Sequence, residues 1–165
     1  MRMRTHVLGA ITAGTFVAMN GNMPDTNVTN DIVFGGSLVV GALLPDLCSP
    51  RSWIGRRLQF TAILIQQIFG HRTFTHSLLF LLLLYYAFDV FTNSIFFVMI
   101  QYGLLIGVAS HILLDMATPR GVMLFYPVKK YVRFPLTVKT GSLFGENIIS
   151  ILFLSWIIYF HVSIM

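Results

Sequence analysis

All eleven Lys and Arg residues of this 165-residue chain can be assigned to one side of a membrane, because every second connection between its apolar runs contains none of them. The runs extend from Val7 to Met19, Ile32 to Leu44, Ser77 to Phe88, Ile95 to Leu114 and Ile148 to Ile158. Arg2 and Arg4 precede the first; Arg51, Arg56 and Arg57 follow the second; Arg72 precedes the third; Arg120, Lys129, Lys130, Arg133 and Lys139 separate the fourth from the fifth. The connections Asn20 to Asp31 and Asp89 to Ser94 carry no Lys or Arg. Since basic residues accumulate in cytoplasmic loops, the pattern predicts five crossings with a cytoplasmic N-terminus, and with Asn22 and Met165 on the far side.

Hydrophobic residues make up 56 % of the chain and charged ones 10 %, against about 25 % charged in ordinary soluble domains. That balance argues against a soluble fold. It predicts an all-α, multi-pass helical membrane bundle forming a single domain over 1–165, with the lipid bilayer as its first partner. A hydrocarbon core of about 30 Å needs roughly 20 helical residues. Ile95 to Leu114 meets that alone, whereas the first two runs do so only with their polar ends, which predicts tilted or partly buried helices. The N-terminal run reads as a retained helix rather than a cleaved signal, since bulky Phe16 stands where cleavage wants a small residue. Cys48 is the single cysteine, so no intrachain disulfide forms.

The second run, FGGSLVVGALL, is rich in small residues that let helices approach closely in lipid, and Pro45 disrupts it just before Asp46. Leu58 to Phe69 is too short to span and follows Arg56 and Arg57, so it reads as a short interfacial or re-entrant helix. Gly70 can end it, and Thr73 or Thr75 can cap the next helix, which would place His76 in that helix's first turn. The stretch TPRGVMLFYPVKKYVRFPLTVKTGS is basic, aromatic and non-spanning, and is expected against anionic headgroups. No P-loop, GxSxG elbow or CxxC pair is present, and no nucleic-acid partner is expected.

An ionisable group within a span costs at least about 2.5 kcal/mol and calls for a partner. His111 and Asp115 are spaced i, i+4, so they share one helix face and can address one ion. His6 begins the first run, Asp46 ends the second, His71 precedes the third, His76 begins it, and Glu146 begins the fifth. Under the charge-derived topology all seven reach the cytoplasmic ends of their helices, while His161 lies at the opposite end. Each residue alone reads as an interfacial anchor; together they read as ligands for a divalent metal, zinc first, with manganese or iron as alternatives and two or three ions sharing the set. A helix N-terminus beside His76 would help keep that imidazole neutral. Arg72 is suited to binding phosphate bidentately, and Asp46 or Glu146 to acting as general base where not consumed as a ligand. Ser77, Ser110 and Thr118 are candidate hydrogen-bond donors behind the ligands.

Three blocks, GALLPDLCSP, GHRTFTHSLL and SHILLDMATPRGVMLFYP, resemble the YdjM-like family of bacterial inner-membrane proteins. That family is classed by prediction as metal-dependent hydrolases, and one member is controlled by the DNA-damage repressor LexA. Its members are distantly similar to zinc-dependent phospholipase C and the S1/P1 nucleases. The resemblance runs from His6 to Glu146 and implies His71, His76, His111 and Asp115 as the first ligands, then Asp46, with His6 and Glu146 on less distinctive blocks. Cys48 stands where the family usually has a second Asp, and Thr73 where it often has Gly. The leading expectation is hydrolysis of a phosphoester or phosphoanhydride of a phospholipid or lipid-linked phosphate at the cytoplasmic interface of the inner membrane. The alternative is a non-enzymatic membrane protein with a structural or sensing metal site.

Overall fold

The structure, a computed structural model, describes residues 1–21, 27–91 and 94–163. Six α-helices follow one another: α1 Met3–Met19, α2 Val28–Leu43, α3 Gln59–Phe69, α4 Leu78–Asp89, α5 Ile95–Met116 and α6 Leu143–Ser163. No strand occurs among the described residues; a lone antiparallel bridge joins Val122 to Val132. The expected all-helical architecture is present. Among the described residues three segments, Val28–Cys48, Ile95–Met116 and Phe144–Ser163, are long and apolar enough to cross a membrane. The other two expected crossings are shorter: α1 has 17 residues and α4 has 12. At 1.5 Å per residue α4 reaches only about 18 Å. Asn22 and Met165 lie outside the described residues.

The packing that organises the molecule is the crossing of α2 and α5. A Cβ on Gly41 would stand 2.5 Å from the Leu104 carbonyl oxygen, and one on Gly107 would stand 2.5 Å from that of Leu38. Backbone therefore touches backbone, and only small residues permit it. Pro45 then ends α2, which continues as a 3-10 turn over Leu44–Cys48.

α3 ends at Gly70, whose φ of 83° places it in the left-handed region that favours glycine. Its sole buried residue is Ala62, while Phe60 and Ile68 point outward, as an interfacial helix would present them. A second 3-10 turn spans Phe74–His76, and α4 is capped by Ser77, whose hydroxyl accepts from Phe80 N–H. The cap is therefore neither Thr73 nor Thr75. As a result His76 precedes the helix instead of occupying its first turn.

The long basic stretch between α5 and α6 folds back on the same end of the molecule. Phe134 N–H donates to Met116 and Val138 N–H to Ala117, fastening it to the end of α5. Met123 N–H donates to Arg72 and Leu78 N–H to Leu124, fastening it to the segment before α4. Val122 thereby joins Val108, Ile112 and Met116 in a buried cluster.

Candidate metal centre

His111 and Asp115 sit one turn apart on α5, both buried, as their spacing predicts. The Nδ1 of His111 lies 2.6 Å from the carbonyl oxygen of Ala42, among the last carbonyls of α2. Pro45 has no N–H to offer that carbonyl in the 3-10 turn, so the imidazole supplies the donor. Nδ1 therefore carries the proton, and Nε2 presents its lone pair to the interior.

Four further side chains converge there. Asp46 Oδ1 and Asp115 Oδ2 each lie 3.9 Å from His111 Nε2. His76 Nε2 lies 3.5 Å from Asp115 Oδ2, with its Nδ1 at 3.0 Å from Thr75 Oγ1. His6, from α1, places Nε2 at 3.4 Å from Asp115 Oδ1 and stacks on His111, ring centroids 3.7 Å apart. Ligand atoms of His6, His111 and Asp115 lie within 4.8 Å of one another, as do those of Asp46, His76 and His111. Buried Nε2 atoms of His76 and His111 have no hydrogen-bond partner. Two unpaired imidazole nitrogens facing two carboxylates fit a divalent ion, which uses neutral nitrogen and anionic oxygen.

Burial keeps His76 neutral by pushing its pKa down to about 4. Desolvation, not a place in the first turn of a helix, holds this imidazole neutral. His71 is likewise lowered, first by burial, against the opposing pull of Asp46.

Arg72 is buried, not displayed at the rim. Its Nη2 lies 2.9 Å from Asp115 Oδ2, and its Nη1 donates to Thr118 Oγ1 at 2.8 Å. Thr118 in turn donates to the Asp115 carbonyl oxygen. The backbone of Arg72 is left-handed, with φ of 63°, a conformation costing about 1–3 kcal/mol in a non-glycine residue and concentrated at functional sites. The α-amine of Met1 meets the other oxygen of Asp115 at 2.9 Å.

Two expected ligands stand aside. His71 Nδ1 lies 3.2 Å from Cys48 Sγ, and neither residue is in the two convergent triads. Glu146 is buried at the start of α6, where its Oε1 accepts from the backbone N–H of Arg2 and of Gly141, so it ties α6 to the start of α1. His161 is exposed in the last turn of α6, about 22 Å along the helix from Glu146. Ser110 bonds within α5 to Gly107 and Ser77 serves as the α4 cap, leaving Thr118 as the predicted hydroxyl that reaches Asp115.

A cavity of about 520 Å³ opens over the cluster, with Asp46, His71, Arg72 and Thr118 among its lining residues. Asp46, its side chain 22 % exposed, links the buried ligands to that space. The groups missed from the sequence are the Ala42 carbonyl, which has no side-chain signature, and Thr75, whose neighbour in the chain is His76.

Residues 1–164 match the family described as YdjM inner membrane protein. The chain is 36 % identical over 161 residues to the uncharacterized protein YvsG of Bacillus subtilis (strain 168), covering 98 % of this chain and 95 % of that one. It is 35 % identical over 125 residues to the inner membrane protein YdjM of Escherichia coli (strain K12), covering 74 % of this chain and 64 % of that protein. No solved structure matches. The chain belongs to the YdjM inner membrane protein family.

Proposed function

We propose that this member of the YdjM family is a metal-dependent hydrolase of a phosphoester or phosphoanhydride, carried by a lipid or lipid-linked substrate at the cytoplasmic membrane interface. The observation that carries the reading is the pair of buried, unpartnered Nε2 atoms of His76 and His111, which face Asp46 and Asp115 beneath an open cavity. An unsatisfied buried polar group costs about 1–3 kcal/mol, so a fold that retains two of them side by side needs a reason.

His6, Asp46, His76, His111 and Asp115 would hold the metal, zinc being the ion such a set suits best. When bound, a divalent ion supplies Lewis-acid stabilisation of phosphoryl charge and lowers the pKa of water towards neutrality. Because one imidazole nitrogen has a single lone pair, His111 serves one ion only. If two ions bind, Asp115 is the group to share, since its oxygens face His6 on one side and His76 on the other.

Asp46 is the carboxylate at the boundary with the cavity, where an oxygen not spent on the metal would accept a proton from entering water. Arg72 holds Asp115 in orientation and forms part of the same cavity wall. Glu146, with Oε1 held by two N–H groups, positions the ends of α1 and α6. The closure of Asp115, 1 % exposed and met by cations at both oxygens, favours a second reading in which the metal is structural.

The test is metal analysis of the purified protein followed by phosphate release from extracted membrane lipids, for wild type, Asp46→Asn and His111→Ala. Metal-dependent release that both variants lack supports the hydrolase. Metal-replete wild type that releases nothing across a broad lipid panel gives the structural reading instead.

A further inference from the structure

The lining of the cavity over the cluster is of two kinds. Asp46, His71 and Arg72 belong to the cluster or adjoin it; Arg51, Arg120 and Lys139 do not. The latter three come from two connections, Arg51 from that between α2 and α3 and Arg120 and Lys139 from opposite ends of that between α5 and α6, and all are exposed. Accumulation of basic residues on one membrane side explains their sidedness. It does not explain their convergence on one concave space.

Among the described residues few carboxylates stand near enough to offset their charge. Of the six acidic residues, Asp31 and Asp89 lie at the opposite helix ends, and Asp25 is outside the described residues. Asp115 is met by Arg72, and Glu146 by Arg2. Asp46 is the single carboxylate among the cavity's described lining residues, which also include Arg51, Arg72, Arg120 and Lys139. Both terminal nitrogens of Arg72 are already engaged by Asp115 and Thr118. With Arg72 so committed, Arg51, Arg120 and Lys139 are the cavity's cations left to hold a second anionic group beside one at the ligand cluster.

We infer that the cavity is built for a diphosphate, one phosphoryl group lying against the histidine and aspartate cluster and the second held by Arg51, Arg120 and Lys139. This rests on the metal-hydrolase reading and narrows its substrate class from phosphate esters in general to molecules with two adjacent anionic phosphoryl groups. Arginine contributes planar forks for phosphate oxygens, and lysine a point charge. A lipid-linked diphosphate and a soluble one share that chemistry.

Calorimetric titration of the purified, zinc-loaded full chain in detergent tests it, using methylenediphosphonate and methylphosphonate as non-hydrolysable probes. Zinc content is measured before and after, so that chelation is seen. Wild type is expected to prefer the diphosphonate by about tenfold or more, since each tenfold requires only a modest gain in contact energy. The triple variant Arg51→Gln/Arg120→Gln/Lys139→Gln should lose that preference while keeping its zinc and its affinity for methylphosphonate. These side chains are exposed, so the substitutions leave the packed core intact.

No preference in wild type, or an equal preference in the triple variant, overturns the inference. Retention on neutral vesicles doped with an isoprenyl diphosphate, but not on vesicles doped with the monophosphate, assigns the ligand to a lipid; binding of the soluble probe alone assigns it to a free diphosphate. Lost preference in a protein that hydrolyses nothing keeps this subsite and removes the hydrolase. Hydrolysis with the preference unmoved does the reverse.

Discussion

His111 Nδ1 donates to the carbonyl oxygen of Ala42 across the α2 and α5 crossing, and that bond decides which nitrogen of the histidine faces the cluster. The crossing is closed by glycines, so ligand geometry and helix packing are one problem. A methyl group on Gly107 would stand 2.5 Å from the Leu38 carbonyl oxygen and force the helices apart. Gly107→Ala is expected to destabilise by about 1–3 kcal/mol as an overpacked contact and to weaken metal binding by about 10–100-fold through the displaced imidazole. Thermal unfolding and metal titration of this variant check both numbers.

His111→Ala and Asp115→Ala each remove a central donor and should lower metal affinity by more than the roughly 10–100-fold typical of a supporting group. His161→Ala, at the far end of α6, should leave metal content unchanged. Equal metal loss in His161→Ala and His111→Ala would show that the ion sits elsewhere.

Arg72→Lys keeps the charge but not the fork. One ammonium cannot reproduce the simultaneous contacts to Asp115 and Thr118, so the variant should lose about 1–3 kcal/mol of stability. Thermal midpoints of the two proteins at matched metal content decide it, and an unchanged midpoint would contradict the role assigned to the guanidinium.

Histidines held neutral by burial make stability depend on pH with a definite sign. His76 titrates near 4 in the folded chain and near 6.5 when unfolded, so between those values the unfolded state binds the extra proton. Stability of the metal-free protein should therefore fall as pH drops from about 6.5 towards about 4, and be insensitive to this group above that window. His71 adds to the same trend. Unfolding midpoints measured through this range should fall less steeply for His76→Gln than for wild type.

Sidedness is open to direct measurement on a Cys48→Ser background. Lys129→Cys should react with an impermeant thiol reagent only after cells are opened, and Ser94→Cys should react in intact cells. Labelling of Lys129→Cys from outside would separate the basic stretch from the cytoplasmic face.

Much of the architecture depends on short-range pattern and was legible in the sequence. Apolar runs of helical length, the break at Pro45, the stop at Gly70 and the i, i+4 pairing of His111 with Asp115 each follow from neighbours within a few residues. The starts of α1 and α4 did not, because hydropathy marks a run without locating its cap; α1 begins at Met3, ahead of its apolar run, and Ser77, not Thr73 or Thr75, caps α4. Beyond the pair of His111 and Asp115, which candidate ligands meet was decided by tertiary structure. The donors come from α1, α5 and the two 3-10 turns, so their separations depend on long-range packing that no local spacing encodes. That packing brings His6 onto His111, turns His71 towards Cys48, spends Glu146 on the backbone of Arg2 and Gly141, and draws Arg72 inward to Asp115. The Ala42 carbonyl that orients His111 is a backbone atom common to every residue, and only the approach of α2 to α5 gives it a role.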